Sequence, residues 1–366
     1  MARDTMKPTA LDRQTAPSIL LSTPGLVVDL EVFEANVAAM ASRLRGTGKT
    51  LRPHVKTHRT PELAKRQLGG SAVGLTCATV GEAEAMVAAG MDDVLVANEV
   101  VDPRKIARLV ALAERARVGV VADDPEPVAA LSREAARART TIDVLIDVDI
   151  LLHRCGVGSA ADAVRLAETI ERAPWLRLRG LMGYEGRIRR TDADRAGKIA
   201  RAYATLAEVR MALIDAGFPV DVVSAAGTST LAEALVDPVI TEVQAGVYAL
   251  MEPERLEPDL PFRCAVAIRG TVISRHPGRI VLDIGRRTVG MEYGAPVPIG
   301  FVATHIAVSD EHATIEMADP PPPLGSQLDL APGQIRTTFN LHDHVWVSRG
   351  GRLIDRWPIS ARGSSQ

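Results

Sequence analysis

Aromatic residues are scarce: Phe, Trp and Tyr together make up 3% of the 366 residues, so the core cannot be built around rings. The 46% of residues that are hydrophobic are mainly Ala, Val, Leu and Ile, which suits closely packed layers of helix on strand. Cysteine is scarce too. Cys77, Cys155 and Cys264 are odd in number and far apart, which excludes a disulfide framework and a Cys-x-x-Cys metal clamp and fits a reducing compartment. No stretch approaches the roughly 18 uncharged apolar residues that a membrane helix needs. The N-terminus carries Arg3, Asp4 and Lys7 and lacks the apolar segment of a secretory leader. Neither sign of charge dominates. The formal net charge is −2, without a long run of one sign, so the basic patch that nucleic acid or an anionic membrane would require is missing. These absences point to a soluble, cytoplasmic protein.

What is present is a rhythm. The length suggests two domains, or one barrel with an appendage. Residues 1–24 are polar, contain Pro8, Pro17 and Pro24, and read as an arm. From Leu26 to about Leu235, short runs rich in β-formers alternate with Ala-, Leu-, Arg- and Glu-rich segments of helical period. The first run is Leu26–Leu30, the second Leu51–Lys56, and later ones include Ile142–Val148, Leu178–Met182 and Val220–Ser224. Strands alternating with helices imply parallel strands joined by right-handed crossovers. About eight such units favour a closed (β/α)8 TIM-type barrel over an open doubly wound sheet, whose Gly-x-Gly-x-x-Gly turn is missing after the first strand. Beyond residue 250 the helical segments give way to short alternating strands, including Ala265–Ser274, Gly278–Asp283, Val302–Val308, Ala313–Met317, Thr338–Ser348 and Gly351–Pro358. The prolines at 320–323 read as a rigid connector. The expected fold is therefore α/β: a barrel over residues 25–250, and a second, mainly antiparallel β domain from residues 1–24 plus 251–366.

In such a barrel the chemistry lies at the C-terminal ends of the strands, so polar residues that end apolar runs are the candidates. Lys56, in Leu51-Arg52-Pro53-His54-Val55-Lys56-Thr57-His58, ends one. If the strand continues, His54, Lys56 and His58 share a face. A lysine among cationic or desolvating groups is pushed toward the neutral amine that attacks a carbonyl to form a Schiff base. The same string also reads as a surface cluster opening a helix. Arg154 follows the strand ending near Val148, and Tyr184 and Glu185 end another. Ser224-Ala225-Ala226-Gly227-Thr228-Ser229-Thr230 is a hydroxyl-rich turn before a helix, where backbone N–H groups would suit a phosphate, although such a turn also serves as a plain N-cap. A lysine nucleophile and a phosphate turn at neighbouring strand ends describe a pocket for a phosphorylated aldehyde, and pyridoxal 5′-phosphate (PLP) is the obvious candidate.

The strings Arg-Pro-His-Val-Lys-Thr-His (52–58), His-Arg-Cys-Gly-Val (153–157), Gly-Tyr-Glu-Gly (183–186) and Glu-Val-Gln-Ala-Gly-Val-Tyr (242–248), in this order, resemble the D-threonine aldolase and D-serine dehydratase family. That family belongs to the alanine-racemase-like, fold-type III PLP enzymes, and the resemblance runs from about Thr23 to Pro358. It implies a homodimer with sites at the subunit interface and an amino acid as the small-molecule substrate. Lys56 then matches the lysine that anchors the cofactor, and Arg154 the arginine near its phenolic oxygen. Tyr184 matches the side chain against the pyridine face, and Gly227, Thr228, Gly246 and Val247 match the phosphate-binding turns. Gln244 stands where related racemases place an arginine against the pyridine nitrogen.

One departure bears on function. Metal-dependent members carry a His-x-Cys or His-x-Asp pair where this chain has Gln334 and Arg336, ahead of Asn340-Leu341-His342-Asp343. An amide is a poor ligand and a guanidinium is none, so the usual metal site is expected to be absent. His342 and His344, read as sharing a strand face, are the one alternative source of imidazoles. Arg336 could instead offer a fixed positive charge to a substrate carboxylate or β-oxygen. The expected function is a PLP-dependent lyase acting on a β-hydroxy D-amino acid, by aldol cleavage or by dehydration, with Lys56 or His54 as the base. A racemase would need a second base, for which the one tyrosine beyond the barrel is Tyr293. A non-catalytic PLP-binding protein is the third reading, disfavoured by the β domain.

Overall fold

A computed structural model describes residues 21–186, 188, 191–253, 260–318 and 320–366. The chain divides into two compact units. One contains the chain up to Glu34 and Leu250–Pro358, and the other contains Ala35–Ala249 and Ile359–Gln366.

The first unit carries β1 (Gly25–Asp29) and, after the barrel, β10 (Val266–His276), β11 (Arg279–Leu282), β12 (Val297–Ile299), β13 (His305–Val308), β14 (Ala313–Glu316), β15 (Gln327–Ala331), β16 (His344–Arg349) and β17 (Arg352–Pro358). They form one sheet in the order β13-β14-β11-β10-β1-β16-β17, with β15 pairing both β10 and β12. Pairing is antiparallel throughout except between β1 and β16. The run at Leu26, expected to open the barrel series, therefore belongs here, with Leu26 opposite Ile268 and Val28 opposite Val266. Its residues are buried on successive positions, the pattern of any strand covered on both faces, so periodicity could not tell one sheet from the other. A second correction concerns residues 335–341, where a strand was expected from Thr338. They form a helix, α9 (Ile335–Leu341), capped by Gln334, whose side chain accepts from Thr337 N at 2.6 Å. Ile335, Thr338 and Phe339 are the fully buried residues, at the i, i+3, i+4 spacing of a helix rather than that of a strand. β12 and β15 were not anticipated.

The second unit is the barrel. Its strands are β2 (Thr50–Leu51), β3 (Leu75–Cys77), β4 (Asp93–Glu99), β5 (Arg117–Ala122), β6 (Ile142–Val148), β7 (Leu176–Gly183), β8 (Val222–Ala225) and β9 (Glu242–Val243). All neighbours are parallel, in the order β2-β9-β8-β7-β6-β5-β4-β3. Bridges Leu51↔Ala72 and His54↔Thr76 join the two ends, with Thr76 N donating to Pro53 O at 3.0 Å, so the eight strands close. Helices follow the strands: α2 (Pro61–Leu68), α3 (Val80–Ala88), α4 (Pro103–Leu112), α5 (Pro125–Ala138), α6 (Ala160–Glu171), α7 (Arg195–Asp215) and α8 (Leu231–Val236). The division between units falls inside α1 (Leu30–Leu44). Several starts are written in the sequence. Thr79, Asp102, Asp124 and Ser159 cap α3, α4, α5 and α6 through their side chains, each cap contributing about 1 kcal/mol.

Inside the barrel, Leu95, Val121, Leu145 and Met182 form an apolar cluster. Below it, toward the strands' N-terminal ends, charges take the place of the missing aromatics. Asp143 accepts from Arg117 at 2.8 Å and Arg179 at 3.0 Å, and Arg52 bridges Asp93 at 2.5 Å and Glu242 at 3.0 Å. That network leaves the opposite, C-terminal end for function. Among the described residues no helix is long and apolar enough to cross a membrane.

Candidate active site

Lys56 reaches the C-terminal end of the barrel on a turn, not on a strand. β2 stops at Leu51, His54 still bridges Thr76, and Val55–Thr57 then winds into a short 3-10 helix. The expected alternation of His54, Lys56 and His58 on one face is broken there, because a helical turn rotates successive side chains by about 120° rather than 180°. His58 is fully buried. Its Nδ1 accepts from Thr60 N at 3.1 Å, and its Nε2 lies 2.9 Å from Gln67 Oε1, whose own amide donates to Tyr248 Oη at 3.2 Å. Burial pushes the His58 pKa down to about 4, so the ring is a neutral brace. His54 is also buried, at 8% exposure. Beyond it Arg59 adopts a left-handed φ of 52° and bonds the buried Glu82 at 3.0 Å. Burial raises the Glu82 pKa, against the opposing pull of the Ala78 amide, Arg59 and Lys56.

Tyr184, just past β7, links this turn to the hydroxyl-rich one. Lys56 Nζ lies 5.4 Å from the centre of its ring. A methyl group on Gly227 would lie 3.6 Å from Tyr184 Cε2 on the other side of the contact. The turn after β8 is held from several directions. Ala226 is left-handed, with φ 68°. Gly227 N donates to Thr230 Oγ1 at 3.2 Å, and Tyr248 N donates to Thr228 Oγ1 at 3.0 Å. Gln244 N donates to Ala225 O at 3.0 Å, and its side-chain amide donates to Ser224 Oγ at 2.9 Å, which in turn donates to Glu242 Oε1 at 2.7 Å. Gly246 brings the last turn against the first, since a Cβ there would sit 2.5 Å from His54 O and 2.6 Å from Thr57 Oγ1. The N–H groups of Gly246 and Val247 open the 3-10 turn Val247–Ala249 and have no acceptor among the described residues.

Lys56 over Tyr184, Tyr184 beside the Gly227–Thr228 turn, and the 244–248 turn meeting both Thr228, through Tyr248 N, and His54, at Gly246, form one chain of contacts. Arg154 is not part of that chain of contacts. It is exposed in the loop after β6. There its charge draws down the pKa of the buried Asp147, which burial and the neighbouring Glu99 push up to about 8. Asp149, the other acid of that loop, accepts instead from His153, through its backbone N at 2.9 Å and Nδ1 at 3.1 Å. At the ends of β4, β5 and β6, Glu99, Asp123 and Cys155 each place one potential ligand atom within 4.8 Å of the others.

Arg336 belongs to the other unit, where it donates to Tyr293 Oη at 2.8 Å and lies 5.6 Å from that ring's centre. His342 ends α9 and its Nε2 contacts Thr288 O at 2.7 Å, whereas His344 begins β16, so the two do not share a strand face as expected. The helix that displaced the expected strand is the reason. Sequence reasoning gave no role to Glu82, Glu185, Thr230 or Tyr248. Glu185 left a signal as an acid at the end of an apolar run, Thr230 stood in the hydroxyl-rich turn and Tyr248 in the 242–248 string, whereas Glu82 left none.

Two family models cover the chain: "Alanine racemase, N-terminal domain" matches residues 28–253, and "Putative serine dehydratase domain" matches residues 265–348. The sequence is 37% identical to the D-threonine aldolase of an Arthrobacter species, over 96% of this chain and 95% of that one. It is 33% identical to the 3-hydroxy-D-aspartate aldolase of Paracoccus denitrificans, over 94% of this chain and 92% of that one. The crystal structure of the D-threonine aldolase from Filomicrobium marinum superposes with a TM-score of 0.91 at 36% identity, covering 96% of this chain and all of that one.

Proposed function

The chain belongs to the D-threonine aldolase and D-serine dehydratase family built on the alanine-racemase-type barrel, and on that premise we propose that it is a PLP-dependent lyase acting on a β-hydroxy D-amino acid. The observation that carries the reading is the amine of Lys56 standing 5.4 Å over the Tyr184 ring, with Gly227 against the same ring. The residues fit the cofactor. Lys56 is the covalent anchor, and Tyr184 offers a flat apolar face beside it. Gly246 leaves room where any side chain would intrude, Gly227 turns a bare backbone toward the Tyr184 ring, and the N–H groups of Gly246 and Val247 suit a phosphate. Thr228 fixes that turn through Tyr248 N. Arg154 is assigned to the phenolic oxygen and Gln244 to the ring nitrogen.

When bound, PLP supplies an electron sink for the negative charge left at the substrate's α-carbon. Gln244, an amide held by Ser224, brings no acidic proton to the ring nitrogen, which keeps that sink shallow and leaves more of the work to the surrounding groups. Lys56 Nζ, once free of its covalent link, is the base. Taking the β-hydroxyl proton would let the Cα–Cβ bond break to release an aldehyde, and returning that proton to the α-carbon would give glycine; taking the α-proton and returning it to the departing β-hydroxyl would release water. His54, buried against the same turn, is the other candidate base. We assign Arg336 the fixed positive charge toward the substrate, in place of a metal ion, because Gln334 spends its oxygen on capping α9. Function as a cytoplasmic homodimer completes the proposal.

The test begins with purified protein and PLP, where a visible absorption band should form and Lys56→Ala should abolish it. D-Threonine, D-serine, D-3-hydroxyaspartate and D-phenylserine are then assayed for glycine and aldehyde against ammonia and keto acid. Turnover of none of them, by a protein that binds PLP, would overturn the lyase reading.

A further inference from the structure

The role of Glu185 is not explained by that reading. Glu185 follows Tyr184 at the end of β7 and is 2% exposed. Among the described residues no lysine or arginine pairs with it, which is unusual for a buried acid. Its Oε1 accepts from Thr230 Oγ1, with Tyr203 Oη at 3.4 Å, while its Oε2 is buried with no hydrogen-bond partner among the described residues. Thr230 in turn takes the Gly227 N–H at 3.2 Å. The carboxyl group is therefore two hydrogen bonds from the backbone of the turn assigned to the phosphate.

Ala226 gives the arrangement a purpose. A left-handed φ of 68° is costly for an alanine and persists only where the surroundings impose it. Gln244 N holds the Ala225 and Ala226 carbonyl oxygens at 3.0 and 3.2 Å, on one side of the peptide chain. On the amide side Gly227 N meets Thr230, which is held in turn by Glu185. Arg195 braces the following residue, donating to Ser229 O and to Glu233, so the helix that follows is pinned separately.

We propose that Glu185 is a positioning residue for the phosphate end of the cofactor site, holding Ala226 and Gly227 in the conformation that presents this turn, through Thr230. The inference rests on the PLP reading above. Glu185 acts through its hydrogen bonds, and burial raises its pKa.

The experiment compares the affinities of the full-length protein for PLP and for pyridoxal, which lacks the phosphate, by titration of the absorption band. Glu185→Ala should weaken PLP roughly tenfold or more, the loss expected for one well-placed hydrogen bond, and leave pyridoxal within about twofold. Glu185→Gln keeps the acceptor oxygen and should restore PLP affinity. Thr230→Val, which cuts the link without touching the acid, should reproduce the alanine phenotype and carries the test if Glu185→Ala is insoluble. Unchanged PLP affinity in Glu185→Ala or Thr230→Val, equal weakening of both ligands, or a glutamine variant as poor as alanine would each overturn the inference. Failure of the unaltered protein to bind PLP would instead remove the reading beneath it.

Discussion

Gly246 and His54 are in such close contact that a methyl group on the glycine would lie 2.5 Å from the histidine's carbonyl oxygen. Two turns that are far apart in sequence, one carrying Lys56 and the other Gln244 and Val247, are registered by that single hydrogen-sized gap. Gly246→Ala must push one turn away from the other, because the atoms it meets are a backbone oxygen and the short Thr57 side chain. Overpacking of this kind costs about 1–3 kcal/mol. The expected outcome is a folded protein with a lower Tm and PLP affinity reduced by about tenfold or more, read by thermal unfolding and cofactor titration.

Tyr184 touches both the lysine and the turn assigned to phosphate through its ring. The amine of Lys56 lies 5.4 Å from the ring's centre. Tyr184→Phe should therefore keep most of kcat/KM, while Tyr184→Ala should lower it by about tenfold, since a ring face beside a cation contributes about 0.5–2 kcal/mol. Steady-state kinetics at saturating PLP decide it, and a phenylalanine variant as impaired as alanine would move the role to the hydroxyl.

The parts of the fold legible in the sequence were those fixed by local pattern. The barrel's alternation showed as runs such as Ile142–Val148 followed by a Ser-capped helix, because strand period, caps and helix length are all local. β1 was misassigned because a strand buried on both faces looks the same in either sheet, and only its partners β10 and β16, more than 200 residues later, tell them apart. α9 was read as a strand because Thr337, Thr338 and Phe339 favour β structure, and the cap from Gln334 overrode that preference. The site residues were legible where a polar group ends an apolar run, as with Lys56 and Tyr184. Thr230 and Tyr248 stood inside strings the sequence singled out, but their bonds to Glu185 and Thr228 join residues distant in sequence, so no local pattern marks those roles.

Arg336 offers a charge that a chelator cannot remove. If it takes the place of a metal ion toward the substrate, EDTA leaves kcat/KM unchanged, while Arg336→Ala lowers it by about 10- to 100-fold, the loss of a charge-assisted hydrogen bond of about 1.5–3 kcal/mol. Tyr293→Phe, which removes only the hydroxyl that Arg336 bonds at 2.8 Å, should have a smaller effect. Activity lost to EDTA and restored by a divalent ion would refute the assignment, and so would an unimpaired Arg336→Ala.

His58 predicts the acid side of the stability profile. Its Nδ1 accepts the Thr60 amide, so the neutral ring carries its proton on Nε2 and donates it to Gln67; protonating Nδ1 would set two donors against each other. The folded pKa of about 4 lies below the ordinary histidine value of 6.5. A depressed pKa means that the unfolded chain binds the proton first. The stabilisation is complete above about pH 6.5 and is lost as the pH falls toward 4, at about 1.4 kcal/mol per unit. Across the whole window the loss is on the order of 3 kcal/mol. His58→Asn keeps an acceptor near Nδ1 and cannot titrate. It should be less stable than the unaltered protein at pH 7.5, and urea unfolding at pH 4.5 should find that gap smaller by about 2–3 kcal/mol. Carboxylates elsewhere also titrate in this range, but they do so in both proteins, so the difference between the two reads His58 alone. A gap of equal size at both pH values would mean that the ring takes up its proton without leaving its place between Thr60 and Gln67.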